Sequence, residues 1–257
     1  MHYRHNYTIT KQFLFGLVII VPTLLVSVGA SAQTIPFFKP YPYINDKIWY
    51  ISNGWSNGDH QSCEWRKEAI SVADKKLKLT LSDKGGAVRP IGCPEIHTNK
   101  RTGYGTYSAR IKTAAGSGLN TAFFTYVGPS VGGGDHSEID FEFLGKNSKT
   151  VQLNYFDKGI PQDGTIIELG FDASSDFHDY SFIWEPTKIR WYVDGKLVHQ
   201  TKDGAKIPDN PGRIYLSLWS GSKTMNDWLG AFTYTKPVSA EFEWVKYETL
   251  NNSEINK

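Results

Sequence analysis

Residues 135–145 read Asp135-His136-Ser137-Glu138-Ile139-Asp140-Phe141-Glu142-Phe143-Leu144-Gly145. From Glu138 onward acidic and apolar residues alternate without a break, and on an extended chain residues two apart share a face. The stretch therefore predicts a β-strand over 137–144, with Ile139, Phe141 and Phe143 on one side and Glu138, Asp140 and Glu142 on the other. A solvated, charged strand face is the plainer reading. Three like charges stacked in a row repel one another, however, and a sequence shaped by stability alone avoids that cost. The row points to chemistry.

Two uses are open to such a row. Three carboxylates can hold a hard cation, but calcium loops draw their oxygens from a turn with glycine and backbone carbonyls, not from a straight strand. Hydrolysis of a glycosidic bond fits better. Four residues of strand place the Cα atoms of the first and last acid about 13 Å apart. Leaning together over the shorter Asp140, the two Glu side chains reach roughly the 5–5.5 Å separation of a retaining mechanism.

Outward from this strand the chain continues as short alternating runs broken by turns, at 69–82, 105–112, 121–126, 137–144, 150–156, 178–184, 188–193, 196–200, 214–219 and 240–247. Asp194-Gly195, between two such runs, predicts a two-residue hairpin. No window sustains a helical period, and no repeat or low-complexity linker divides the chain. Many short strands within one domain over 33–257 predict an all-β fold, a β-sandwich of jelly-roll type or a barrel. In it the apolar side of the acidic strand enters the core and the carboxyls line a concave substrate groove. The glycine-rich stretch 128–134 leaves room for a bulky chain to approach.

The 257 residues include 8 Trp, 14 Tyr and 14 Phe, enough both for a core and for rings on which the flat apolar faces of sugars stack. Residues 1–32 read as a signal peptide, with Arg4 and Lys11 ahead of an apolar stretch over 13–28 and Ala30-Ser31-Ala32 as the cleavage site. The apolar stretch is interrupted by Gly16 and Pro22 and is short for a membrane span. The chain has 28 basic and 26 acidic residues, and Arg4 and Lys11 are the only charged residues before position 33. The mature chain is thus neutral, and nothing in it calls for nucleic acid or an anionic membrane. Two cysteines, Cys63 and Cys93, in an exported chain most simply form one disulfide, closing a loop of about 30 residues and contributing about 3 kcal/mol.

The run Glu138-Ile139-Asp140-Phe141-Glu142-Phe143-Leu144-Gly145 resembles the active strand of glycoside hydrolase family sixteen, in its bacterial lichenase branch of endo-β-1,3-1,4-glucanases. Blocks similar to that branch extend from about residue 40 to 247. They include Ser56-Asn57-Gly58, Cys63-x-Trp65-Arg66, Phe123-Phe124-Thr125-Tyr126, Val151-Gln152-x-Asn154-Tyr155, Asp227-Trp228-Leu229-Gly230 and Trp244-Val245-Lys246-Tyr247. With no residue inserted between the two Glu, the strand resembles the regular strand of lichenases rather than the bulged one of laminarinases. The resemblance implies Glu138 as nucleophile, Glu142 as general acid/base and Asp140 as the assisting residue. It implies sugar contacts from Asn57, Glu95, Phe124, Tyr126, His136, Asn154, Tyr155 and Trp219, and a disulfide between Cys63 and Cys93.

Departures from the lichenase pattern gather around the expected groove. His136-Ser137 stand where lichenases carry Trp-Asp, His97 replaces an Arg, Phe156 a Tyr and Ser217 an Asn. They turn the expected substrate from plain cereal β-glucan toward a related bacterial exopolysaccharide of the succinoglycan kind. The branch also carries a structural calcium, for which Pro40 matches a backbone position and Glu243 stands in place of an Asp; no cofactor is otherwise required. The expected partner is a polysaccharide, and the expected protein is a monomer outside the cell or in a periplasm. Two rival readings share these residues: a non-catalytic carbohydrate-binding sandwich, and a transglycosylase using a sugar in place of water.

Overall fold

The computed structural model describes residues 33–35, 43–162 and 164–250. The expected signal peptide over 1–32 and Pro40, the position considered for calcium, lie outside the described residues. Two large antiparallel sheets stack face to face, as expected of the jelly-roll sandwich. One, the groove sheet, runs in the order Ile160–Pro161, Thr150–Asp157, Ser137–Leu144, Leu119–Val127, Arg213–Ser220, Glu95–Thr98, Trp49–Ile51, with Thr165–Glu168 also pairing Thr150–Asp157. The outer sheet runs Lys196–Gln200, Ile189–Val193, His178–Trp184, Gly105–Lys112, Val238–Thr249, Lys76–Leu81, Ile70–Ala73, with Gln33–Ile35 along Val238–Thr249. Among the described residues no helix is long and apolar enough to cross a membrane.

Aromatic side chains from the facing sides of both sheets fill the space between them. Ile139, Phe141 and Phe143 are buried there together with Phe123, Tyr180, Phe182 and Trp191. Phe143 meets Tyr180 edge to face at 4.7 Å, and Phe141 lies between Phe123 at 6.3 Å and Phe182 at 6.4 Å, offset arrangements that suit the ring quadrupoles. The buried Trp191 indole cannot reach water, so its Nε1–H donates to the Asp140 carbonyl at 3.2 Å. The outer sheet is thereby fastened to the middle of the acidic strand.

The alternation-based strands at 105–112, 137–144, 178–184 and 196–200 form with those bounds. Asp194 and Gly195 adopt φ of 47° and 75°, closing the expected hairpin. The run 69–82 is instead two strands, Ile70–Ala73 and Lys76–Leu81, folded back on each other at Asp74-Lys75. Both turn residues have positive φ, 51° and 61°, a turn usually marked by glycine or asparagine; without either, the run reads as one strand. Glu95–Thr98 and Trp49–Ile51 also escape the alternation rule. The first is buried along its whole length and so has no wet side, and the second is only three residues long.

Lys75 carries the left-handed cost of an L side chain at the second turn position. Lys75→Gly is expected to stabilise the fold by about 0.5–1 kcal/mol, measured by urea unfolding with an unchanged slope.

Candidate active site

Register places the three carboxyls on the groove side. Glu138 stands between Tyr126 and Phe156, Asp140 between Phe124 and Asn154, and Glu142 between Ala122 and Gln152 on the neighbouring strands. Neither pairing shifts along the strand, so the row is regular, as the uninterrupted spacing predicts. Above it opens a cleft of about 940 Å³. Of the expected sugar contacts, Asn57, Glu95, Phe124, Tyr126, His136 and Trp219 line this cleft together with all three acids.

Two expected contacts are placed differently. Asn154 is directly across from Asp140 on the groove side, yet it is buried and outside the cleft lining. Tyr155, one residue on, pairs with Ile139 and therefore points the other way. It is 3% exposed, with its ring 6.2 Å from Trp191. The sugar contact expected of Tyr155 is thus corrected to a place in the core, because neighbouring residues on a strand face opposite sides.

The row's electrostatics separate its members. Burial, the charges of Glu138 and Glu142, and a hydrogen bond shared with Glu138 push the Asp140 carboxyl well above the ordinary range. Burial, then the charge of Glu138, pushes Glu142 up to about 8, opposed by a hydrogen bond from Asn120. Both Asp140 and Glu142 are thus biased toward their protonated forms, Glu142 up to about pH 8. A fourth carboxyl, Glu95, is pushed up to about 7 by burial. Its Oε1 accepts a hydrogen bond from the Ser52 hydroxyl at 2.6 Å.

Several contacts around the carboxyls and the cleft were not legible from motifs. Asn120 donates its Nδ2–H to Glu142 Oε1 at 2.9 Å. It belongs to the Leu119–Val127 strand with the same parity as Phe124 and Tyr126, a signal lost when the strand is started at 121. Tyr50, His97, Tyr215 and Phe124 form a ladder of rings with centroids 4.9, 4.7 and 5.0 Å apart, ending beside Asp140. These rings come from four different strands, so only sheet order reveals the ladder. Burial lowers the His97 pKa, and its Nδ1–H donates to the Thr98 carbonyl at 3.0 Å. Trp219 is flanked by His60 and Trp228 at 5.9 and 6.0 Å. Asn57 is fixed by accepting the Trp65 indole N–H at 3.1 Å. Cys63 and Cys93 are joined as a disulfide two residues before Glu95.

Of the two residues considered for calcium only Glu243 is among the described residues, and it pairs with cations. Glu243 accepts Arg110 Nε–H at 2.9 Å, and its second oxygen lies 4.0 Å from Lys76 Nζ. Among the described residues no group of three or more His, Cys, Asp or Glu is arranged to hold a metal ion.

A sandwich with an open aromatic cleft lined by a row of carboxyls, one of them keeping its proton to about pH 8, fits a glycoside hydrolase. The chain belongs to the family described as glycosyl hydrolases family 16, which matches residues 57–246. It is 44% identical over 211 residues to the endo-1,3-1,4-beta-glycanase ExoK of Rhizobium meliloti (strain 1021), covering 82% of this chain and 78% of that one. It is 41% identical to a beta-glucanase of Paenibacillus polymyxa, covering 92% of this chain and 98% of the relative. Among solved structures, a beta-1,3-1,4-glucanase (lichenase) from a mouse hindgut metagenome superposes with a TM-score of 0.79 at 37% identity, covering 86% of this chain and all of that one. The protein is a glycoside hydrolase, and the reading as a non-catalytic binding module is set aside.

For a carboxyl whose pKa is raised in the folded state, the folded protein binds the extra proton. The resulting stability is complete below the unfolded value near 4.5 and is lost as pH rises through about 8. Glu142→Gln, neutral at every pH, should therefore melt with the wild type at pH 4. At pH 9 it should be the more stable by about 1–3 kcal/mol, allowing for solvent screening. Thermal melts at the two pH values check this.

Proposed function

We propose that this protein is an exported, monomeric endo-β-1,3-1,4-glycanase that hydrolyses internal bonds of a mixed-linkage β-glucan or a related bacterial exopolysaccharide, with retention at the anomeric carbon. The observation that carries the reading is the division of labour within the row: Glu142 keeps its proton to about pH 8 while Glu138 supplies the charge. The 1,3-1,4 linkage follows the names of the similar glycanase and lichenase. The leader-like residues 1–32 and the disulfide support export.

In this mechanism the polymer lies along the cleft, with sugar faces on Phe124 and Trp219 and hydroxyls bonded by Asn57 and Glu95. Glu138 attacks the anomeric carbon as Glu142 donates its proton to the departing glycosidic oxygen. The bond to the leaving sugar breaks, and a glycosyl ester on Glu138 forms. Asp140, protonated, gives its hydrogen bond to Glu138 and so spreads the charge of the nucleophile without adding a second one. Glu142, now ionised, takes a proton from water, the resulting hydroxide displaces Glu138, and all groups return to their starting states. Asn120 keeps the Glu142 carboxyl aimed during both proton transfers. No step passes through a metal.

Purified protein incubated with barley β-glucan and, separately, with succinoglycan should release new reducing ends from at least one, initially of retained configuration. Activity on neither overturns the reading. The substrate cleaved decides whether the altered groove residues His97, His136 and Ser217 are a minor variation or set the specificity. Glu138→Gln should abolish activity, and Glu142→Gln should lower it about 10²- to 10⁴-fold. Because Glu142 must be protonated to act as the acid, kcat/KM should fall with an alkaline limb near pH 8, read from a pH–rate profile.

A further inference from the structure

His136 does not face the cleft as a free sugar ligand. Its Nε2 lies 2.6 Å from Glu138 Oε2, and a carboxylate oxygen only accepts, so the imidazole donates Nε2–H. The ring is boxed on two sides. Phe156 stacks on it at 4.7 Å with planes 17° apart, and Tyr126 meets it edge-on at 5.1 Å. Tyr126 is itself tied through its hydroxyl to Ser130 at 3.0 Å.

The backbone is held as well. The His136 carbonyl accepts Gly159 N–H at 2.9 Å, from a tight turn in which Lys158 and Gly159 have φ of 51° and 79°. Three elements thus hold one imidazole against one carboxylate: the acidic strand, Leu119–Val127 and the hairpin after Thr150–Asp157.

We propose that His136 is a positioning residue for the reaction, donating Nε2–H to Glu138 so that the carboxylate is held in one rotamer for attack on the anomeric carbon. The inference rests on the assignment of Glu138 as nucleophile. Asp140 bonds the same carboxylate from along the strand, so two donors fix its orientation, and the aromatic box fixes the second donor. A charge-assisted hydrogen bond of this length restrains its acceptor more than a neutral one does. Orientation of a nucleophile acts on the glycosylation step and leaves ground-state binding of the sugar unchanged.

The test uses His136→Phe, which keeps a ring in the box and removes the donor, and His136→Gln, which returns a donor. The substrate is a 2,4-dinitrophenyl β-oligoglucoside, whose leaving group needs no proton from Glu142, and its 2-deoxy-2-fluoro analogue serves to trap the intermediate. Labelling of Glu138 in the wild type, located by peptide mass, tests the nucleophile assignment separately; a label elsewhere overturns that assignment and this inference with it. Given the label, His136→Phe should slow glycosylation about 10- to 100-fold with the Kd for an unreactive oligoglucoside unchanged, and His136→Gln should recover most of the rate. Glycosylation by His136→Phe at the wild-type rate, or a loss confined to Kd, overturns the positioning role. Should the Phe variant not fold, His136→Met replaces it as the non-donor, read by the same outcomes.

Discussion

The burial of Ile139, Phe141 and Phe143 against the outer sheet is the constraint on which the site depends. A strand held by its apolar side cannot rotate, so the residues between must all face the cleft, and like charges that would separate in solution are kept together. Trp191 adds a directional restraint by donating to the carbonyl of Asp140, the residue at the centre of the row. The energy of packing rings between the sheets offsets the repulsion on the other face. The chemistry is thus a consequence of the core: with three acids confined, their protons must be divided among them.

That division is settled by what surrounds each carboxyl. Asp140 is enclosed and feels both neighbours, so its carboxyl is pushed toward the protonated form. Glu142 feels Glu138 and is steadied by Asn120, which leaves it protonated near neutrality yet able to ionise. Glu138 meets hydrogen-bonding partners on either side, Asp140 and His136. Away from the row, the ring ladder Tyr50–His97–Tyr215–Phe124 extends the apolar floor of the cleft across four strands. A polymer lying there meets rings first and the row of three carboxyls at one place. Glu95, enclosed and bonded to Ser52, adds a polar contact beside this floor.

The acidic strand, its face assignment and the regular spacing of its carboxyls were legible from residues 137–144 alone, because period-two alternation is a local property of the chain. The sandwich, the disulfide partners and six of the residues lining the cleft were equally legible, Asn57, Glu95, Phe124, Tyr126 and Trp219 through positions that match the family and His136 as a departure from it. Asn120, Ser52 and Tyr215 were not. Each owes its role to a neighbour distant in the sequence: Asn120 is 22 residues from Glu142 and Ser52 is 43 from Glu95, and no spacing rule links such pairs. Tyr155 shows the same limit, since a motif names a residue without saying which side of the sheet receives it.

By itself, then, the sequence determined the class of fold, the strand that carries the chemistry and the identity of its acids, since each follows from the pattern of side chains along an extended chain. Only the tertiary structure decided that Glu142 keeps its proton to about pH 8, that His136 in the cleft lining also meets Glu138, and that Tyr155 belongs to the core. Those outcomes depend on desolvation and on contacts across strands. Both arise only when the sheets close over one another and remove water from one side of the row but not the other.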